Sequence, residues 1–95
     1  MYVDRKIVMK ALTSVAIEKA LLDIGKPFLD KVSNKLQKKY NCYIPDCYEH
    51  PEYLDNVLRS IFGNSTATVV ESIRELLAEY MDDKGICLLV QKIGA

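Results

Sequence analysis

The spacing of the apolar residues is the feature that most constrains the fold of this chain. In four stretches the apolar residues recur at intervals of three and four, which places them along one face of an α-helix. Glycine, proline and short polar segments separate these stretches. The pattern predicts an all-α protein, a compact bundle of four helices over residues 4–24, 27–40, 50–62 and 65–82.

Residues that favour the first or last positions of a helix mark the boundaries of these four helices. Asp4 is suited to cap the first helix, and Gly25 with Pro27 ends it, because proline cannot continue the hydrogen-bond ladder. Pro51 fits the first turn of the third helix, and Gly63 fits its end. The third helix is therefore the one whose limits the sequence defines best.

The first predicted helix has an unusually wide apolar face. Its apolar residues are Ile7, Val8, Ala11, Leu12, Val15, Ala16, Ala20, Leu21 and Ile24. This spacing predicts a broad buried stripe. A helix this long and this apolar is expected to pack centrally, or to offer a second face to a partner chain.

The C-terminal residues show no distinctive period. The run ICLLV at residues 86–90 is too short for periodicity to separate a helix from a strand. We expect a short terminal helix or an extended tail that covers the core, with an intermolecular strand as the alternative. Since 95 residues with 49% apolar content can bury one modest core, residues 1–95 are expected to form a single domain.

The net charge is zero, but the charges are unevenly distributed along the chain. Residues 1–40 contain nine Lys or Arg against four Asp or Glu, and residues 41–95 contain four against nine. A neutral total argues against long-range attraction of the whole molecule to nucleic acid or to an anionic membrane. The basic half of one molecule could meet its own acidic half or that of another molecule, and segregated solvated faces are the alternative.

The N-terminal sequence resembles neither a signal peptide nor a membrane span. Lys10, Glu18, Lys19 and Asp23 interrupt its apolar residues. We expect a cytoplasmic protein with no membrane partner. Its three cysteines, an odd number, are then expected to be reduced thiols rather than parts of a disulfide framework.

Cysteine and histidine residues between the second and third helices are the sharpest candidates for chemistry. Cys42, Cys47 and the only histidine, His50, lie within nine residues, and together with Cys87 they are ligand types that zinc prefers. Their spacing suits zinc less well, and buried thiols or a helix cap are the alternative. Cys42 and Cys47 are also a candidate redox pair, because His50 and a helix N-terminus would lower a thiol pKa.

No motif in the sequence indicates catalysis or a bound cofactor. Cys47 and His50 have no evident third group to orient them as a nucleophile and a base. The sequence also contains no glycine-rich phosphate loop, no HExxH and no GxSxG. We therefore expect a non-enzymatic protein without a cofactor.

Four of the six tyrosines lie close together in the sequence, within fourteen residues. They are Tyr40, Tyr43, Tyr48 and Tyr53. Tyrosine combines a large apolar area with a hydroxyl that can stay in water, and it is enriched at partner-binding surfaces. These residues are candidates for a protein-binding surface, and the alternative is that they cover the core with their hydroxyls outward.

A ridge of lysines is predicted along the second helix. Lys31, Lys35 and Lys38 follow at intervals of four and three residues, with Lys39 beside them. They are candidate contacts to nucleic-acid phosphates, and Tyr40 and Tyr43 are neighbouring rings on which bases could stack. The absence of arginine from the ridge weakens base readout, and a solvated helix face is the alternative.

The segment between the second and third helices also carries a family resemblance. Residues 39–54 read KYNCYIPDCYEHPEYL, residues 61–65 read IFGNS and residues 16–27 read AIEKALLDIGKP. Over about residues 5–80 the chain resembles a family of small archaeal helical domains, prominent in ammonia-oxidising archaea, that occur alone or attached to signalling proteins. The resemblance implies an intracellular output module for signalling or regulation, with no established activity and no functional residues to carry over.

The leading hypothesis is a non-enzymatic, regulatory interaction module. It would bind a protein partner or a second copy of itself through the first helix or the tyrosine-rich segment. Nucleic-acid binding through the second helix is the alternative, and a zinc or thiol-redox module at residues 42–50 is the third hypothesis.

Overall fold

The structure, a computed structural model, describes residues 4–93 as five packed α-helices. The helices are α1 (Arg5–Ile24), α2 (Lys26–Tyr40), α3 (Pro51–Phe62), α4 (Thr66–Leu76) and α5 (Lys84–Ile93). Within the same range, 3₁₀ turns occur at Ile44–Tyr48, Gly63–Ser65 and Ala78–Tyr80. No strand occurs between residues 4 and 93, so the prediction of an all-α fold is confirmed.

The ends of the first three helices fall within a residue of the predicted positions. The side chain of Asp4 accepts a hydrogen bond from the N–H of Lys6 at 2.8 Å and caps α1. Asn41 closes α2, and Gly63 closes α3, with φ values of 52° and 53°. Glycine and asparagine tolerate this left-handed conformation better than other residues, which explains why the helices end there.

The prediction for the fourth helix is wrong at its C-terminal end. α4 stops at Leu76, and the chain begins a separate helix, α5, at Lys84. The carboxylate of Asp83 accepts a hydrogen bond from the N–H of Ile86 at 3.1 Å and so caps α5. The C-terminal segment is therefore a helix up to Ile93, and residues 94 and 95 lie outside the described residues.

The apolar faces of all five helices meet in one core. α1 packs against α2 and α4, while α3 packs against α2 and α5. The largest fully buried side chains are Ile17, Leu21, Val32, Leu36, Leu54, Val57, Leu58, Ile73, Leu77, Ile86, Leu89 and Ile93. Every helix thus contributes to the same hydrophobic cluster.

The buried face of α1 differs from the predicted stripe. Met9, Thr13 and Ile17 are buried, whereas Ile7 and Val15 are 65% and 60% exposed. Because α1 is apolar on nearly every side, its period indicates a helix without showing which side faces the core. Part of the predicted stripe is consequently left on the surface.

Candidate functional site

We call residues 41–50, between α2 and α3, the bridge. Its centre is the 3₁₀ turn Ile44–Tyr48, in which the side chains of Ile44 and Cys47 are buried. The carboxylate of Asp46 accepts a hydrogen bond from the N–H of Tyr43 at 2.8 Å, which fixes the start of the turn. The bridge packs on α1, α3 and α5, so it is a structural part of the bundle.

Two lysines of α1 hold the bridge by ion pairs. The ammonium of Lys6 lies 2.8 Å from Glu49, and that of Lys10 lies 2.9 Å from Glu49 and 3.6 Å from Asp46. Hydrogen bonds from Lys6 and Lys10 lower the pKa of Glu49 to about 2. The bond to Glu49 in turn raises the pKa of Lys10. Part of the basic excess of the first half is thus neutralised within the fold.

The carboxylate of Asp83 joins the bridge, α1 and α5. Besides capping α5, it accepts hydrogen bonds from the hydroxyl of Tyr48 at 2.6 Å and from Nε of Arg5 at 3.3 Å. Burial acts to raise the pKa of Asp83, but the hydrogen bonds from Tyr48, Ile86 and Arg5 outweigh burial and lower it. The bond to Asp83 raises the pKa of Tyr48 to about 12.

Sequence reasoning missed this junction, although a signal was present. An aspartate shortly before an apolar run is a common start of a helix. In the first turn of α5, a Cβ at Gly85 would overlap the ring of Tyr48, so only glycine lets the ring lie against the helix backbone. The contact of Tyr48 with Asp83 therefore depends on Gly85.

The structure places the cysteines of the bridge where they would react poorly. Cys42 and Cys47 are buried, Cys87 is partly buried, and all three are free thiols. Burial, followed by the neighbouring Cys42, raises the pKa of Cys47 to about 12, and burial also raises that of Cys42. The sequence led to the opposite expectation, a pKa lowered by His50. Both bridge thiols are therefore protonated at neutral pH.

His50 contacts residues other than the cysteines. Its ring stacks on that of Tyr53 with centroids 4.7 Å apart, and its Nδ1 lies 3.5 Å from a carboxylate oxygen of Glu52. Over residues 4–93, no three His, Cys, Asp or Glu side chains are grouped so that they could hold a metal ion. The four candidate zinc ligands are therefore not brought together as a metal site.

The four candidate tyrosines have different surroundings. Tyr40 and Tyr53 stack with ring centroids 4.0 Å apart, and His50 also stacks on Tyr53. The hydroxyl of Tyr48 points towards the start of α5. Tyr43 is 64% exposed, the largest exposure of the four. The other three are partly buried, so Tyr43 is the only one of the four that is largely exposed.

The four candidate lysines, by contrast, line one groove. Together with Asn34 and with Ile61 of α3 they line a shallow, open depression of about 530 Å³. The lysines are Lys31, Lys35, Lys38 and Lys39. We call this surface the lysine groove. Its lining is mainly apolar, since the aliphatic stems of the lysines contribute to it, and it carries four positive charges.

Aromatic rings beside the lysine groove are already covered by other groups. Tyr40 carries Tyr53 stacked on it, and Nζ of Lys39 lies 5.4 Å from its ring centroid. Nζ of Lys31 lies 5.4 Å from the ring centroid of Phe28. A base stacking on Tyr40 would have to displace one of these groups, which weakens that part of the nucleic-acid hypothesis, whereas Tyr43, the other ring proposed for stacking, is exposed.

Exposed apolar residues of α1 form a second surface. Ile7, Ala11, Val15 and Leu22 are separated by four, four and seven residues, which places them along one side of the helix, with Val8 beside them. Leu22 is 50% exposed and Val8 38%, in addition to the values given for Ile7 and Val15. We call these five residues the α1 ridge. Exposed aliphatic side chains grouped on one side of a helix are typical of an interaction surface.

Comparison of the chain with protein-family models, with curated proteins and with solved structures finds no match. Among the helices described between residues 4 and 93, none is long and apolar enough to cross a membrane. A function therefore has to be inferred from the α1 ridge, the bridge and the lysine groove themselves.

Proposed function

We propose that this protein is a non-enzymatic helical interaction module that pairs with a second copy of itself through the α1 ridge. The observation that carries the proposal is the exposure of Ile7, Val8, Val15 and Leu22 along one side of the longest helix. Such surface gains free energy when another apolar surface covers it. A regulatory or signalling role in the cytoplasm is part of the proposal, and the resemblance to archaeal output domains supports it.

Charges at the two ends of the ridge favour an antiparallel pair of α1 helices. Asp4 and Arg5 are exposed at one end, and Asp23 and Lys26 at the other. Arg5, although paired with Asp83, keeps 62% of its side chain exposed. An antiparallel pair sets Asp23 against Arg5 and Lys26 against Asp4 of the other copy. A parallel pair would set each charge against itself.

The antiparallel arrangement also matches the apolar residues. With Val15 near the two-fold axis, Leu22 of one copy lies against Ile7 and Val8 of the other. Glu18 interrupts the ridge between Val15 and Leu22, and it accepts a hydrogen bond from Ser14 at 3.5 Å. A carboxylate in this position limits the apolar contact and so weakens the pair.

The magnitude of the apolar contact indicates a weak, reversible dimer. Fully burying an aliphatic side chain contributes about 1.5–3 kcal/mol, and the four large ridge residues are about half exposed, so two copies gain roughly 6–12 kcal/mol. Association costs about 4–15 kcal/mol in lost freedom. The dimer forms only if the cost lies near the low end of this range; a net gain of about 4–7 kcal/mol then corresponds to a dissociation constant on the order of 10 µM to 1 mM.

The state of the thiols supports a non-enzymatic role. Cys47 is the thiol closest in sequence to His50, but it is fully buried and its pKa is raised to about 12 by burial. His50 instead stacks on Tyr53. A protonated, buried thiol is a poor nucleophile.

Sedimentation velocity over a range of protein concentrations tests the proposal. Leu22 on the ridge and Leu88 on α5 are 50% and 51% exposed, so they form a matched pair. Leu22→Glu should abolish the dimer, and Leu88→Glu should leave it as in the wild type. Both variants should fold because both side chains are exposed, and circular dichroism checks this.

Two results would contradict the proposal. One is a wild-type protein that stays monomeric at about 1 mM, the upper end of the expected dissociation constants. The other is an equal loss of the dimer in the Leu22→Glu and Leu88→Glu variants, which would place the contact elsewhere.

A further inference from the structure

Among residues 4–93, ion pairs neutralise charged side chains of α1, whereas charged side chains on α2 and α4 form no ion pair. Arg5, Lys6 and Lys10 of α1 pair with acidic residues of the bridge and of the segment before α5. Within residues 4–93, two sets of opposite sign make no such pair. They are Lys31, Lys35, Lys38 and Lys39 of the lysine groove, and Glu71, Glu75 and Glu79 of α4 and the turn after it.

We propose that the lysine groove of one copy of the chain receives the acidic face of another. We define the acidic face as Glu71, Glu75 and Glu79, which are all exposed. The contact would neutralise the basic excess of α2 and the acidic excess of α4 at the same time. Both charged surfaces belong to the same chain, whose net charge is zero.

The spacing of the charges allows the two helices to lie side by side. Lys31 and Lys35 are four residues apart, as are Glu71 and Glu75, and both intervals cover about 6 Å of helix. Carboxylates would meet the ammonium groups at the rim, while their methylene groups would pack on the lysine stems and on Ile61. Arg74 borders the acidic face and reduces its charge without cancelling it.

Several observations favour a second copy over nucleic acid as the occupant. Of the two rings proposed for base stacking, Tyr40 is already covered by Tyr53 and Lys39, and Tyr43 alone is exposed. The groove contains no arginine, which base readout usually employs. The chain as a whole has no net charge with which to attract phosphates.

The assembly produced by this contact differs from the dimer formed through the α1 ridge. The groove and the acidic face are different surfaces, so the contact is heterologous and each copy can bind two others. The ridge contact is apolar and closes at two copies. Salt therefore separates them: the groove contact weakens as charges are screened, and the ridge contact does not.

The test uses the Leu22→Glu variant as the parent, so that the ridge makes no contribution. At about 10 mM salt, where charges are felt over about 30 Å, sedimentation should show a mass that rises with protein concentration. At about 1 M salt, where the screening length is about 3 Å, the parent should be monomeric. A parent that stays monomeric at about 10 mM salt as well would overturn this proposal alone. A mass that persists at about 1 M salt would contradict both proposals, because the parent lacks the ridge contact and the groove contact should be screened.

Charge reversal on each side makes the test specific. In the parent, Lys35→Glu and Glu75→Lys should each weaken association at low salt about tenfold. An equal mixture of the two should associate to within about threefold of the parent, because each variant supplies the surface that the other lacks. Lys92→Glu, at an exposed lysine of α5, is the control for net charge and should change nothing.

Three further outcomes would overturn the proposal. The first is an equal effect of Lys35→Glu and Lys92→Glu, and the second is a mixture that associates no better than its components. The third combines two measurements on Lys35→Glu at low salt: the variant no longer binds a mixed-sequence DNA oligonucleotide, but its self-association is unchanged. That result would assign the groove to nucleic acid.

Discussion

Replacing Gly85 with alanine should destabilise this protein, although the same substitution stabilises most helices. Gly85 lies in the first turn of α5, where an added Cβ would overlap the ring of Tyr48. The ring is not free to turn aside, because its hydroxyl donates a hydrogen bond to Asp83 at 2.6 Å. Room for the methyl group therefore comes only with the loss of that bond.

The sign of the effect follows from two magnitudes. Alanine is better than glycine within a helix by up to about 1 kcal/mol. A hydrogen bond to a charged group contributes about 1.5–3 kcal/mol. We expect Gly85→Ala to lower the free energy of unfolding by about 1–2 kcal/mol, and for a domain of this size to lower Tm by roughly 5–15 °C.

Urea denaturation followed by circular dichroism measures this effect, and a double-mutant cycle identifies its cause. In a Tyr48→Ala background no ring opposes the new methyl group, so Gly85→Ala should raise stability by up to about 1 kcal/mol. The coupling between the two positions should then be about 2–3 kcal/mol. A substitution that stabilises the wild type, or that has the same sign in both backgrounds, would refute the reasoning.

Three further predictions concern buried polar groups. Folding lowers the pKa of Asp83. The ionised carboxylate therefore stabilises the fold above the unfolded-state pKa of about 3.9, and this stabilisation is lost as the pH falls through the folded-state pKa. The Tm of Asp83→Asn should therefore be lower than that of the wild type at neutral pH, and the difference in Tm should shrink in acid. A difference in Tm that stays constant with pH would contradict this. Thr13→Val should raise the free energy of unfolding in urea by about 1 kcal/mol, because the buried Thr13 hydroxyl has no hydrogen-bond partner within residues 4–93, and a loss of stability would count against it. In native protein a thiol reagent followed by peptide mass spectrometry should modify Cys87 before Cys42 and Cys47, and equal rates without denaturant would show that the bridge thiols are not protected.

The sequence predicts the first three helices well because their determinants are local. Helical spacing, a capping aspartate and glycine or proline at the ends all act within a few residues. The end of α4 is different, since Leu77 and Tyr80 continue the apolar period beyond Leu76. The start of a separate α5 depends on Asp83, which is held by Tyr48 from 35 residues earlier in the chain. No local pattern contains that contact.

The candidate surfaces show the same division between local and distant determinants. The interval between lysines is enough to place them on one side of α2, but the packing of α3 decides that Ile61 lies beside them. Along α1 the period does not distinguish the buried Thr13 from the exposed Val15. The closeness of Cys42 and Cys47 in the sequence suggests a reactive or metal-binding pair. Their burial depends on the whole fold, and it raises their pKa values instead.

Pairing of two copies through the α1 ridge is tested most directly by isotope-filtered NOE spectroscopy. In an equal mixture of ¹³C-labelled and unlabelled protein, this measurement detects methyl contacts between copies and none within a copy. We expect contacts from Leu22 to Ile7 or Val8 of the other copy, and from Val15 to its counterpart. Contacts of Leu22 with its own counterpart would mean a parallel pair. A dimer whose spectrum shows no contact from α1 would contradict the proposal.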